Sequence, residues 1–91
     1  MFGLESTSIK IISKGGLTGE TVNQLTNELS KYTFKVMLKY QGTTTIANSS
    51  LGVMSLGVPE GAEIQLSVDG TADQLKEVVQ TLIDNKFATT V

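Results

Sequence analysis

The chain contains no cysteine, histidine, tryptophan or arginine. Without cysteine there is no disulfide, no thiol nucleophile and no soft metal ligand, so stability has to come from packing. Without histidine there is neither an imidazole base working near neutral pH nor an imidazole ligand for a metal. Without arginine there is no planar guanidinium fork to grip a carboxylate or a phosphate in two places. No apolar run is long enough to cross a bilayer. The nine carboxylates are scattered, with no close pair for glycosidic chemistry and no calcium-loop spacing. No cofactor, no metal site and no enzymatic activity are therefore expected.

What is present suits a small folded domain. The 91 residues are 40% hydrophobic and 18% charged, a balance that supports a core rather than disorder. A net charge of −2 does not favour non-specific nucleic-acid binding. The opening "MFGLESTSIK" has neither a positive n-region nor an apolar h-region, so no signal peptide, no membrane association and a cytoplasmic location are expected. Neither a repeat nor a linker divides the chain. A single domain over 1–91 is expected, with its core over about 7–85 and a frayed tail over 86–91.

Alternation of Ile9 and Ile11 within 7–13 predicts a strand, which Gly15 and Gly16 end. Thr18 stands where a helix N-cap would, with Glu20 in the first turn. Val22, Leu25, Leu29 and Tyr32 recur at helical spacing and predict a helix over 19–30. "TFKVMLKY" alternates Phe34, Val36, Leu38 and Tyr40 with Lys35, Met37 and Lys39, and Gln41-Gly42 turns it into the short return strand "TTTIA". Further on, "AEIQLSVD" alternates again, and Thr71-x-x-Gln74 has the form of a capping box. That box opens a helix with an apolar stripe of Leu75, Val78, Val79, Leu82 and Ile83. Alternation on every strand implies an antiparallel sheet with one wet face, onto which Lys10, Lys35 and Lys39 would project. The two long helices cover the other face, which makes a two-layer α+β domain.

The stretch "NSSLGVMSLGVPEGAEI" fits no simple period. Its segment "GVMSLGVPEGAEI", with "LKYQGTTT" just upstream, resembles the HPr family, the small phosphocarriers of the bacterial sugar phosphotransferase system. The resemblance runs without a gap from Gly16 to Gly70, and "GVMSLG" after a Y-x-G-T hairpin is its most specific part. It implies an open-faced β-sandwich, with a four-stranded antiparallel sheet covered on one face by helices in the order β-α-β-β-α-β-α. It also implies that the short helix lies at the surface and that part of its apolar side docks on partner proteins. Leu17, Leu51 and Met54 are the candidate docking residues. The bland alternative for Leu51 and Met54 is that they close the edge of the core.

The family's phosphorylated histidine lies in a G-[Leu/Ile]-His-[Ala/Ser]-Arg-Pro motif. Here the matching positions read Gly16-Leu17-Thr18-Gly19-Glu20-Thr21. Thr18 stands at the histidine position, Glu20 at the arginine position and Thr21 at the proline position. A threonine hydroxyl titrates far above neutral pH, has no neighbouring base here, and would form a stable ester rather than a labile phosphoramidate. Glu20 adds negative charge where a phosphate would have to bind. A histidine phosphoryl relay is therefore not expected, and Thr18 and Glu20 read instead as ordinary helix capping.

Ser49 falls on the family's regulatory serine, which in Gram-positive bacteria is phosphorylated by a dedicated HPr kinase. The resemblance extends to the catabolite-repression relatives of Crh type, which lack the histidine and keep this serine. Ser49, with Ser50 as the alternative, is thus a candidate phosphorylation site, with an HPr kinase or a transcription regulator as partner. A phosphate there would meet free backbone N–H groups at a helix start and bring a charge of about −1.5 to −2. The bland reading is that Ser49 or Ser50 is merely the N-cap. Asn48 and Ser50 replace the basic and apolar neighbours usual in the family. The expectation is a non-catalytic regulatory or interaction module, monomeric or weakly dimeric; the alternative is a fold kept for a structural or self-associating role.

Overall fold

The computed structural model describes residues 4–91. The order is β1 (Leu4–Ile11), α1 (Gly19–Leu29), β2 (Val36–Tyr40), β3 (Thr43–Ile46), α2 (Ser50–Ser55), β4 (Glu63–Asp69), α3 (Ala72–Asp84) and β5 (Ala88–Thr90). The strands form one antiparallel sheet in the order β3-β2-β4-β1-β5. The period-two pattern sets its faces. Ile9, Ile11, Val36, Leu38, Ile64, Leu66 and Val68 are buried toward the helices, while Lys10, Lys39, Glu63 and Gln65 on the alternate positions are exposed. Register follows from this, because a slip of one residue would turn each apolar set outward.

The helices complete the core with Val22, Leu25 and Leu29 from α1, Val53 from α2, and Val78 and Leu82 from α3. Each such side chain contributes about 1.5–3 kcal/mol through burial. Helix α3 begins with the complete capping box: Thr71 Oγ1 accepts from the Gln74 N–H, and Gln74 Oε1 accepts from the Thr71 N–H. The β2–β3 hairpin turns through Gln41 (φ 50°) and Gly42 (φ 82°). Two successive left-handed residues match the twist of the strands they join. Strand β2 starts three residues later than the alternation from Thr33 suggests. Phe34 lies before it, half-buried, with its ring 5.0 Å from that of Tyr32.

The C-terminal end corrects the sequence expectation. The sheet has five strands rather than four, and residues 86–91 are not a frayed tail. The backbone reverses after α3 through Lys86 (φ 59°). The Phe87 N–H donates to the Leu82 carbonyl at 2.9 Å, and the Ile12 and Ser13 N–H groups donate to the Phe87 carbonyl. Phe87 and Ala88 are buried, and β5 pairs Ala88, Thr89 and Thr90 with Ile11, Lys10 and Ile9. No glycine marks the turn, and "FATT" is too short to show a period, so nothing local announces the strand. Phe87 is its anchor. Phe87→Ala should lower the unfolding free energy by about 3–4 kcal/mol, and amide exchange at Ala88–Thr90 should rise toward unprotected rates; both are read by urea titration and hydrogen exchange.

Candidate functional site

The site is built from two loops pinned together. After β1 the chain turns through Gly15 (φ 80°) and Gly16 (φ 78°), conformations that strain any side chain. Gly16 is buried, and a Cβ on it would lie 2.3 Å from the Val58 carbonyl oxygen and 2.8 Å from Glu60 N. That absence lets the Leu17 N–H donate to the Val58 carbonyl at 2.9 Å. The Gly15 N–H donates to the Glu60 carboxylate at 3.0 Å. No local pattern marks Glu60 for this part, since its partner lies 45 positions away in the chain.

Leu17 does not belong to a docking surface. It is 0% exposed and packs in the core, plugging the gap between the two loops. Its place beside a surface motif hid this, and a lone leucine carries no period to reveal its direction. Thr18 is exposed and holds the N-cap backbone conformation of α1 (φ −137°, ψ 154°), but its side chain accepts no hydrogen bond from the helix. The Thr18 carbonyl accepts from the Thr21 N–H instead. The capping expected of Thr18 is thus positional only. Glu20 lies exposed in the first turn of α1, where its charge suits the helix dipole.

Helix α2 divides its apolar residues between two surroundings. Val53, Leu56 and Val58 are buried, whereas Leu51 is 78% and Met54 42% exposed. Leu51 and Met54, one helical turn apart, share a face. The Met54 carbonyl accepts from the Gly57 N–H, and the next residue, Val58, holds Leu17, so the Met54 end of α2 abuts the Gly15–Thr18 loop. Gly52 sits against β3, where a Cβ would lie 2.1 Å from Thr45 Oγ1. The two candidate serines differ. Ser49 is the N-cap of α2, its Oγ accepting from the Gly52 N–H at 3.2 Å. Ser50 Oγ lies 3.0 Å from Oγ1 of Thr26, which is buried in α1, and so ties the two helices together. No basic side chain contacts Thr18 or Ser49 through a hydrogen bond among the described residues, and no three carboxylates there gather as a metal would require.

The fold is a two-layer α+β domain in which the entrance to α1 is joined to the exit from α2 through Leu17 and Val58. Its family is shown by comparison: a family model described as the PTS HPr component phosphorylation site matches residues 5–85, and the chain belongs to this family, PTS-HPr. Solved structures agree. HPr-C-His from Thermoanaerobacter tengcongensis superimposes with a TM-score of 0.78 at 27% identity, over 91% of this chain and 94% of that one. The histidine-containing phosphocarrier protein of a Mycoplasma gives 0.77 at 28% identity, over 91% and 97%. The phosphocarrier HPr of Bacillus anthracis gives 0.78 at 21% identity, over 87% and 96%, and shares the fold.

The two glycines of the loop separate steric from conformational constraint. Gly16→Ala should cost about 3 kcal/mol, because backbone collision adds to the left-handed strain. Gly19→Ala, with φ 52° and nothing within 4 Å of its Cβ, should cost about 1 kcal/mol; urea denaturation of both variants measures the difference.

Proposed function

We propose that this member of the HPr family is a non-catalytic regulatory or protein-interaction module, without a histidine relay. The observation that carries the reading is Thr18, exposed at the entrance to α1 where the family motif holds its histidine. Its hydroxyl has no base beside it, and Glu20 follows two residues later. One side chain that bonds this loop's backbone is itself an anion, the Glu60 carboxylate on the Gly15 N–H. A phosphoryl group arriving here would face two carboxylate side chains and no guanidinium.

The docking surface of this reading is Leu51 with Met54, an adaptable apolar pair on α2. Leu17 plays no part in it. Ser49 is the switch rather than Ser50. Its hydroxyl caps its own helix, whereas Ser50 is engaged between α1 and α2. A phosphate on Ser49 would add charge beside Leu51 and Met54 and offer a cationic partner an anion. The partner is a protein, an HPr kinase or a transcription regulator, and the module works as a monomer or weak dimer.

Two measurements test the reading. Incubation with phosphoenolpyruvate, enzyme I and a histidine-bearing HPr should leave no acid-labile phosphate on this chain; its appearance there defeats the proposal. Incubation with an HPr kinase and ATP should modify Ser49 and leave Ser50 bare by mass spectrometry. Met54→Glu should lower kcat/KM for that reaction about tenfold, roughly 1.4 kcal/mol. An unmodified Ser49 removes the switch, and an unchanged rate removes the patch.

A further inference from the structure

Two ties set α2 antiparallel to α1. Ser50 Oγ bonds Thr26 Oγ1 in the later half of α1, and the Val58 carbonyl bonds the Leu17 N–H at the entrance to α1. Met54 therefore lies toward that entrance and Leu51 toward the far end of α1, with Ser49 beyond it. Along α1, Glu20, Asn23, Asn27 and Ser30 recur at three- and four-residue spacing and are exposed, so they form one stripe. Thr26, whose hydroxyl donates to the Asn23 carbonyl, borders that stripe on the side of α2. The exposed Leu51–Met54 pair and this stripe make one surface, apolar on α2 and polar on α1.

The charge on this surface has one sign. The chain has seven lysines, and none lies in α1 or α2. Lys31, just past α1, holds its Nζ over the Tyr32 ring, 5.4 Å from the centroid. The Tyr32 hydroxyl bonds Thr81 of α3, so this cation is drawn toward α3. Lys14 stands beside Gly15, whose N–H carries the Glu60 carboxylate at 3.0 Å, and those two charges offset each other there. Glu28 is taken up on the α3 side, where its carboxylate accepts from Asn85 Nδ2. Glu20 is left as the uncompensated charge of the surface, at the Met54 end.

We propose that Glu20 selects the partner of this docking surface, and that the partner is a protein with a lysine or arginine beside an apolar recess. The inference rests on the reading of Leu51 and Met54 as a docking pair and adds to it the chemistry of the partner. The recess takes Leu51 and Met54, and the cation meets Glu20 at the junction of the two helices. An acidic partner is rejected, because its carboxylates would face Glu20 with no lysine on either helix to receive them. This selection is present before any modification. Ser49 stands at the opposite, Leu51 end, so a phosphate there would add a second anion across the apolar pair from the first.

The probe is the synthetic peptide acetyl-Lys-Leu-Leu-Lys-Lys-Leu-Leu-Lys-amide, with a twin carrying glutamate for each lysine, added to the full chain labelled for NMR. The lysine peptide should shift the methyl signals of Leu51 and Met54 and the amide of Glu20, and its affinity should fall as salt screens the contact. The glutamate twin at the same concentration should shift none of them. Glu20→Lys should weaken the lysine peptide about fivefold and admit the twin, with Glu20→Gln between the two. Glu63→Lys, the same change of charge at an exposed position on the wet face of the sheet, should leave both affinities as they are. Absence of shifts with the lysine peptide, equal binding of the twin, indifference to Glu20→Lys, or an equal loss with Glu63→Lys each overturns the inference. Shifts that survive Leu51→Ser unchanged defeat the docking pair itself as well. Shifts at Leu51 and Met54 that grow with protein concentration in the absence of peptide overturn the inference in favour of a second copy of this chain.

Discussion

The surface of this protein depends on one close approach between two loops, that of Gly16 to Val58. The Leu17 N–H reaches the Val58 carbonyl at 2.9 Å only because position 16 carries no Cβ, which would otherwise lie 2.3 Å from that oxygen. The contact fixes the entry to α1 against the exit from α2, 41 positions apart in the chain. It buries Leu17 and leaves Thr18 outside as the first residue of the rim. The direction of α1, the seat of α2 and the exposure of Met54 all follow from where these two loops meet. The contact is served by two successive glycines in the left-handed region, Gly15 and Gly16, which adopt it without strain.

The same contact shows how a scaffold and its chemistry separate. Gly16 and Leu17 serve packing, and they match the family motif. Thr18 and Glu20 serve no packing: both are exposed, and neither side chain is held by a hydrogen bond. A core residue is constrained by its neighbours through volume and dispersion, whereas an exposed one is constrained only by what it does. The fold accommodates a threonine at position 18 without engaging its side chain. The neighbouring α2 keeps its own division of labour, with Val53 buried for the core and Leu51 and Met54 held outward.

At the opposite side of the molecule, the half-filled fifth strand position reflects a balance of anchoring. Phe87 and Ala88 are buried and draw the chain back onto β1, but pairing stops at Thr90. Within the apolar stripe of α3, Val78 and Leu82 are buried in the core, while Leu75, Val79 and Ile83 are half-buried.

Much of the fold was legible because it rests on local periods. Alternation in "KVMLKY" and "EIQLSVD" and the stripes of α1 and α3 each report one buried face. The Gln41-Gly42 turn and the Thr71–Gln74 box are local geometry written in residue type. The sheet's antiparallel character and its wet face follow from those patterns. What the sequence by itself determined was therefore the elements, their faces and the absence of an imidazole at the family's phosphorylation position. Only the tertiary structure decided that Leu17 is core rather than docking surface, that Glu60 closes the Gly15 loop, that Ser50 is bonded to Thr26, and that residues 88–90 are a strand. Each of these depends on a partner many residues away, and a short or single apolar residue carries no period to tell which side of the chain that partner will approach from.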